Sequence, residues 1–255
     1  MFVLQLSDGR ATDRALCGGK GATLSRLVRA GFPVPDGFVV TSEAWRYFTG
    51  KGGSDGEILR AINDNFITLG TDSVAVRSSA SVEDGKQASW AGQFSTFLDV
   101  HHSDLIHRIK DCMSSSRTDA VRRYGARYGV DPDSIRVAVV VQRMVRPESA
   151  GVAFSVDPVS GRTDTVVIEA VAGSGKTVVD GTATPDSYVL EKKTGEIRSA
   201  MHGVQPAHGT VSPEKLRELL DLILKTEEFF KSPQDIEWAL AERLYLLQSR
   251  PITGF

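Results

Sequence analysis

The sequence is poor in cysteine and has no long apolar run, and each absence excludes a class of protein. Its 255 residues include two cysteines, Cys17 and Cys112, too few for a disulfide framework or a four-cysteine zinc site. No apolar stretch approaches the roughly 20 residues that span a bilayer. Residues 1–8 lack the basic start and apolar core of a secretory signal peptide. We therefore expect a reduced, cytoplasmic protein with no membrane partner.

Neither sign of charge dominates the chain. Thirty basic residues oppose 32 acidic residues, which gives a formal net charge of -2. This balance provides no overall attraction to nucleic acid, so we expect no nucleic-acid partner. Hydrophobic residues make up 41% and charged residues 24%, as in an ordinary folded chain, which argues against general disorder.

The pattern of elements changes along the chain, and this change predicts two lobes. Helical periodicities alternate with short strands in the first part, whereas the second part is mostly short β-like runs. Residues 135–145 are almost continuously β-branched, as in a strand buried on both faces. We predict an α+β fold with an N-terminal lobe of residues 1–141 and a C-terminal lobe of residues 142–255.

Lys20 lies in a glycine-rich segment, residues 18–21, at the start of an apolar helical pattern. Glycines let the backbone approach a phosphate, a helix N-terminus favours an anion, and the lysine supplies positive charge. The alternative is a solvent-exposed lysine in a turn. This segment alone leaves both interpretations open.

Arg77 stands at the end of a strand candidate and is followed by a small-residue loop, predicted over residues 78–92. A guanidinium group can hold two phosphate oxygens, and small residues suit a loop that closes over them. Trp90 in this loop would cover the site and exclude water. The alternative is a long hairpin in which Arg77 pairs with Glu83 or Asp84.

Residues 170–177, Ala-Val-Ala-Gly-Ser-Gly-Lys-Thr, satisfy a relaxed form of the P-loop pattern and follow a strand candidate. In a P-loop the final Lys-Thr pair opens a helix. Here Lys176 and Thr177 precede Val-Val-Asp-Gly-Thr and then Pro185, which is no helix start. The first position is also Ala170 instead of glycine. We therefore disfavour a P-loop.

Two strand candidates near residue 250 carry side chains suited to metal and phosphate. Asp235 and Glu237 share one face of the first strand, and Gln248 and Arg250 share one face of the second. A two-residue turn at 242–243 would make a hairpin and bring these faces together. Carboxylate and amide oxygens suit Mg²⁺ when nucleotide phosphates complete its shell. The alternative is an ordinary cross-strand salt bridge from Glu237 to Arg250.

These segments, in this order, resemble the nucleotide-binding domain shared by phosphoenolpyruvate synthase, pyruvate phosphate dikinase and rifampin phosphotransferase. The matching segments are residues 18–22, 31–35, 76–80, 91–93, 141–145, 150–154, 157–158, 235–238 and 247–251. Each is weak alone, but the ordered set is specific and covers about residues 16–252. The resemblance implies a two-lobed ATP-grasp-like fold with ATP between the lobes, and an ATP-dependent phosphotransferase of the dikinase type.

The resemblance also implies which residues bind MgATP. They are Lys20, Arg77, Thr96, Gln142, Met144, Glu237, Gln248 and Arg250. Lys20 and Arg77 would hold phosphates, with Thr96 near them, and Arg250 would contact the transferred phosphate; these three cations would be catalytic. Gln142 and Met144 would lie by the adenine. Glu237 and Gln248 would be the Mg²⁺ ligands.

Two departures from the family pattern bear on function. Residues 173–176 read Gly-Ser-Gly-Lys where the family has glycine-x-glycine-glutamate, so a positive charge replaces a negative one. The family also passes phosphate to a histidine on a mobile domain, and none of the five histidines here lies in the family's threonine-x-histidine setting. Because the chain ends at Phe255, we expect a separate protein with a phosphorylatable histidine, and onward transfer to a small molecule of unknown identity. The alternatives are a self-contained small-molecule kinase and a non-catalytic ATP-binding regulatory module.

Overall fold

The protein forms two compact units, each built around an antiparallel sheet. The computed structural model describes residues 1–49, 56–82, 94–131, 134–173, 184–201, 203 and 210–252. The units are Met1–Met144 and Val145–Phe255. The sequence-based division puts residues 142 and 143 in the second lobe, whereas here they complete a strand of the first sheet. The predicted α+β class is confirmed.

The first unit contains a five-stranded sheet and five helices in its described part. Its strands are β1 (Val3–Gln5), β2 (Gly37–Val40), β3 (Ser73–Ala80), β4 (Thr96–His101) and β5 (Val137–Arg143). Its helices are α1 (Arg14–Arg29), α2 (Trp45–Phe48), α3 (Gly56–Leu69), α4 (Leu105–Ser114) and α5 (Asp119–Arg127). The strand order is β1-β2-β5-β3-β4, and every neighbouring pair is antiparallel.

Helices cover both faces of the first sheet. On one face, Ile62 of α3 and Ile109 of α4 share a hydrophobic core with Val76 and Val141. On the other face, α1 packs against β3 and β5. The predicted strand buried on both faces is confirmed, because every residue of β5 except Arg143 is buried.

The strand that carries Arg77 is longer than the sequence suggests. The loop predicted to begin at Ser78 is wrong there, since Ser78, Ser79 and Ala80 continue β3 and pair with β5. All three are buried, so their small side chains serve close packing on a sheet covered from both sides. The part of the predicted loop at residues 83–92, with Glu83, Asp84 and Trp90, lies outside the described residues and stays a prediction.

The second unit contains a six-stranded sheet and one helix in its described part. Its strands are β6 (Ser149–Phe154), β7 (Thr165–Ala172), β8 (Asp186–Glu191), β9 (Ile197–Met201), β10 (Gln234–Leu240) and β11 (Leu244–Pro251). The strand order is β11-β10-β6-β7-β8-β9. Helix α6 (Pro213–Phe230) begins as predicted, with the Ser212 side chain accepting a hydrogen bond from the Lys215 N–H. Among the helices in the described ranges of both units, none is long and apolar enough to cross a membrane.

Asp186 ties β8 to the segment that precedes α6. Its Oδ1 accepts from the Gly203 N–H (2.7 Å), and its Oδ2 accepts from both the N–H and the hydroxyl of Thr210 (2.6 Å each). The Tyr188 hydroxyl donates to the same carboxylate at 3.1 Å. Burial raises the pKa of Asp186, but the hydrogen bonds from Thr210 and Gly203 outweigh burial, and the pKa lies below its ordinary value.

Asp186→Asn should lower the free energy of unfolding at neutral pH by about 1–3 kcal/mol, because an amide cannot replace all of these acceptor contacts. The folded pKa of Asp186 lies below its ordinary value of 3.8. The stability from the ionised carboxylate is therefore present above about pH 4 and is lost as the pH falls through the folded pKa. Thermal unfolding of both proteins against pH measures this difference. Equal stability at pH 7 would contradict the assignment.

Candidate functional site

Helix α1 is interrupted at Gly18, directly before the predicted phosphate-binding lysine. Gly18 has φ 71° and ψ 179°, a conformation adopted almost only by glycine. A Cβ at this position would lie 2.0 Å from the carbonyl oxygen of Ser79, so the close approach to β3 also requires glycine. The predicted start of the helix at the glycines is wrong for α1 as a whole, which begins at Arg14 after an Asp13 N-cap, but helix does resume after Gly18.

Lys20 lies just after the interruption and reaches β3. Its Nζ donates to the carbonyl oxygen of Ser78 at 3.0 Å, and its side chain is half-buried. The alternative of an exposed lysine in a turn therefore does not describe this residue. An ammonium group has three donors, and the contact with Ser78 uses one of them and orients the group towards β3.

Arg77 lies on the face of the first sheet that α1 covers. Ser79, two residues further along β3, contacts Cys17 and Gly21 of α1, and alternate residues of a strand share a face. Arg77 is 8% exposed. Thr96 on β4 lies directly opposite Arg77 and therefore belongs to the same face.

Two further predicted residues lie on β5 or just after it. Gln142 is opposite Ala75 of β3, on the α1-covered face that Arg77 shares, and its Nε2 donates to the Pro35 carbonyl at 3.5 Å. Met144 follows the strand, and its N–H donates to the Ser73 carbonyl at 3.2 Å. The first unit thus places Arg77, Thr96 and Gln142 on one side of its sheet, the side against which α1 places Lys20. The roles of these residues and of Met144 in binding ATP stay predictions.

In the second unit, β10 and β11 form the predicted hairpin with a different connection. Residues 241–243 join the strands, instead of a two-residue turn at 242–243. Glu237 lies opposite Gln248, and Asp235 lies opposite Arg250. The two predicted faces therefore meet.

Arg250 forms an ion pair with its direct cross-strand neighbour. Its Nε donates to Oδ2 of Asp235 at 2.7 Å, and its Nη2 lies 2.5 Å from the same oxygen. The sequence-based alternative joined Arg250 to Glu237 and missed Asp235 as a partner. Burial raises the pKa of Asp235, Arg250 offsets this in part, Glu237 adds to the increase, and the net shift is upward. The pair holds the guanidinium beside Glu237 and Gln248.

At β10 the second sheet has one buried apolar face; the opposite face, named the polar face for its Asp235 and Glu237, also carries Phe154 and Val167. Ile236 and Trp238 of β10 are fully buried on the apolar side, and α6 packs against β10. On the polar side Asp235 and Glu237 are half-buried. One row across this side contains Gln248, Glu237, Val152, Glu169 and Ser187. Sequence reasoning did not single out Glu169, and nothing in its local sequence marks it.

The Glu237–Gln248 pair fits a magnesium ion that also binds phosphate. Mg²⁺ prefers oxygen ligands and is commonly held by one or two carboxylates together with substrate phosphates. Within the described ranges, no three His, Cys, Asp or Glu side chains are grouped to hold a metal ion. A Mg²⁺ at Glu237 would therefore depend on Gln248 and on oxygens supplied by the nucleotide.

The P-loop-like segment is described only in part. Ala170 and the next two residues end β7, and Gly173 follows with a φ of 74°. Lys176 and Thr177 lie outside the described residues, so the preference against a P-loop stays a prediction.

Comparison with known proteins decides the family. Residues 14–69 and 56–254 match the model of the pyruvate phosphate dikinase, AMP/ATP-binding domain. The chain belongs to this family. The predicted resemblance is confirmed.

Several proteins that are similar to this chain are longer than it. The chain is 32% identical to a probable phosphoenolpyruvate synthase of Methanocaldococcus jannaschii, with 99% of this chain and 27% of that protein covered. It is 33% identical to a rifampicin phosphotransferase of a Streptomyces species, with 99% and 36% covered. The chain thus spans about a quarter to a third of the length of these relatives. Among solved structures it resembles D-alanine-D-alanine ligase from Helicobacter pylori, with 11% identity, a TM-score of 0.42, and 94% and 55% of the two chains covered.

Proposed function

We propose that the chain binds MgATP and transfers a phosphate from it to a histidine on a separate carrier protein or domain, for onward transfer to a small molecule. The observation that carries this proposal is the group of Glu237, Gln248 and Arg250 on one polar sheet face. Membership in an AMP/ATP-binding domain family supports the nucleotide.

Phosphoryl transfer needs positioned cations more than covalent chemistry. Lys20 and Arg77 would hold phosphate oxygens, and Arg250, oriented by Asp235, would neutralise charge on the transferred group. Glu237 and Gln248 would hold Mg²⁺, which supplies further charge neutralisation at phosphate oxygens when bound. Gln142 and Met144 would contact the adenine.

A histidine carrier suits the chemistry because imidazole is nucleophilic near neutral pH. Among the described histidines, His101 contacts the Asp72 carbonyl at 3.0 Å, and His107 lies 3.5 Å from Asp111. His102 hydrogen-bonds Asn63. None of these contacts involves a proposed ATP-binding residue. The described histidines therefore give no support to an internal carrier, and the proposal places the carrier elsewhere.

Labelled ATP should identify both the acceptor and the nucleotide product. We expect the chain alone to bind MgATP but to show only slow hydrolysis and no stable phosphohistidine. Addition of a partner with a threonine-x-histidine segment should give alkali-stable, acid-labile label on that partner. With AMP as the expected nucleotide, two phosphates leave ATP: one stays on the imidazole nitrogen, and water releases the other as inorganic phosphate, which should appear in equal amount. Rapid, stoichiometric conversion of ATP to ADP with a small acceptor would instead favour a self-contained kinase. Binding without turnover under every condition would favour a regulatory module.

A further inference from the structure

The Ser79 hydroxyl bridges the interruption in α1. It donates to the Cys17 carbonyl at 2.7 Å and accepts from the Gly21 N–H at 2.9 Å. In an uninterrupted helix, the N–H of residue 21 would bond to the carbonyl of residue 17. Ser79 thus contacts the two backbone groups that a regular helix would join to each other. Insertion of a side chain into the helical hydrogen-bond ladder is a known cause of helix kinks.

Burial makes this bridge important. Ser79, Cys17 and Gly21 are all buried, and buried backbone groups need hydrogen-bond partners. Removal of the hydroxyl would leave the carbonyl and the N–H without this partner, or would make α1 change its path near Gly18. In both cases the backbone that carries Lys20 loses its anchor on β3.

Both the side chain of Lys20 and the backbone around it are anchored on β3. Its backbone lies between Cys17 and Gly21, the two contacts of the Ser79 hydroxyl, and its Nζ donates to the carbonyl of Ser78. Ser78 and Ser79 directly follow Arg77 on the same strand. We infer that Ser79 is a positioning residue, which fixes Lys20 relative to Arg77 so that both cations can hold the phosphates of one nucleotide. This inference rests on the proposed function of the two cations.

The neighbouring serine has a different contact set. The Ser78 hydroxyl donates to the carbonyls of Ser95 (2.9 Å) and Cys112 (3.2 Å), on the opposite side of the strand from α1. The two serines therefore attach β3 to different elements. Of the two serines, it is Ser79 whose side chain hydrogen-bonds the backbone of Cys17 and Gly21, so the positioning role belongs to Ser79.

A double-mutant cycle in the full chain tests this role. The variants are Ser79→Ala, Lys20→Met and the double mutant, with MgATP affinity measured by calorimetry and folding by thermal unfolding. We expect Ser79→Ala to weaken MgATP binding about tenfold, the equivalent of about 1.4 kcal/mol. In the Lys20→Met background the same change should cost less than about twofold, because its effect passes through Lys20.

Ser25→Ala is the matched control. Ser25 is also buried in α1, and its hydroxyl donates to the Asp8 carbonyl at 3.3 Å. This variant should lower stability without a change in MgATP affinity. If Ser79→Ala fails to fold, Ser79→Cys takes its place. The thiol is a weaker donor, so this variant should lose less MgATP affinity than Ser79→Ala would, and the loss should again disappear in the Lys20→Met background.

Two results would overturn the inference while the proposed function stands. One is a Ser79→Ala protein with lowered stability but unchanged affinity, and the other is an equal loss with and without Lys20. A different result bears on the function itself. If Lys20→Met leaves MgATP affinity unchanged, the proposed phosphate contact of Lys20 is wrong, and the inference is overturned with it.

Discussion

Arg77→Ala should lower the rate of phosphoryl transfer by about 10²-fold or more, the scale of losing one preorganised charge-stabilising donor. Arg77 is 8% exposed, so its side chain is largely removed from water. The attraction between a guanidinium and a phosphate is stronger there than in water, because the effective dielectric constant is lower. Its fork can hold two phosphate oxygens at once. A single-turnover assay with saturating MgATP and carrier measures the loss.

Two further variants test whether the geometry of the Arg77 side chain matters and whether loss of any arginine has the same effect. Arg77→Lys keeps the positive charge but loses the bidentate fork, so it should fall between wild type and Arg77→Ala. Arg122 is exposed on α5, and Arg122→Ala should leave the rate unchanged. Because Arg77 is buried, thermal unfolding must show that Arg77→Ala is folded. A wild-type rate in a folded Arg77→Ala protein would contradict the assignment.

Lys176 provides a second comparison for Arg77. The P-loop interpretation is disfavoured, so Lys176→Ala should be milder than Arg77→Ala. A larger loss in Lys176→Ala would show that the Ala-Val-Ala-Gly-Ser-Gly-Lys-Thr segment has a direct role in phosphate binding.

The sequence predicts elements well where burial leaves a local pattern. The β-branched run of β5 indicates a strand covered on both faces, and the Ser212-Pro213 pair marks the start of α6. The small residues after Arg77 lead to the wrong prediction of a loop at Ser78, because Ser and Ala are typical of loops as well as of tightly packed strands. The choice between these depends on α1, which is distant in sequence and approaches β3 through Gly18.

The C-terminal hairpin shows a prediction that succeeds through two compensating differences. The connection spans 241–243 instead of 242–243, which alone would shift every cross-strand pair by one residue. The register then shifts once more between Glu237 and Trp238, which places Glu237 opposite Gln248, and the two predicted faces meet. Alternation along each strand could predict the shared face, but turn geometry and the irregularity decide which residue faces which.

For the candidate site too, the sequence predicts the residues that lie in local motifs and misses the contacts between segments that are distant along the chain. Ordered short motifs point to Lys20, Arg77, Glu237, Gln248 and Arg250, because each lies in a segment with its own residue pattern. Ser79 is also in such a motif, yet its bridge to α1 is a tertiary contact that no spacing along the chain reveals. The sequence indicates Asp235 as a site residue, but the strand register is needed to identify it as the partner of Arg250.

Glu237→Gln should abolish detectable turnover and weaken the magnesium dependence of ATP binding. The change keeps an oxygen ligand and the side-chain shape but removes the negative charge that favours Mg²⁺. Loss of metal-based charge neutralisation costs several kcal/mol in phosphoryl transfer, which corresponds to at least about 10²-fold in rate. The fold should survive because Glu237 is half-buried on the polar face and the replacement is nearly isosteric.

The measurement is ATP affinity as a function of Mg²⁺ concentration, together with the transfer rate. Glu169→Gln is the matched control, since Glu169 lies in the same row of the sheet, separated from Glu237 by β6. It removes the same charge from the same face, so a general electrostatic effect would appear in both variants. A ligand role predicts that only Glu237→Gln loses the Mg²⁺ dependence. Transfer at the wild-type rate by Glu237→Gln would show that Glu237 does not hold the metal.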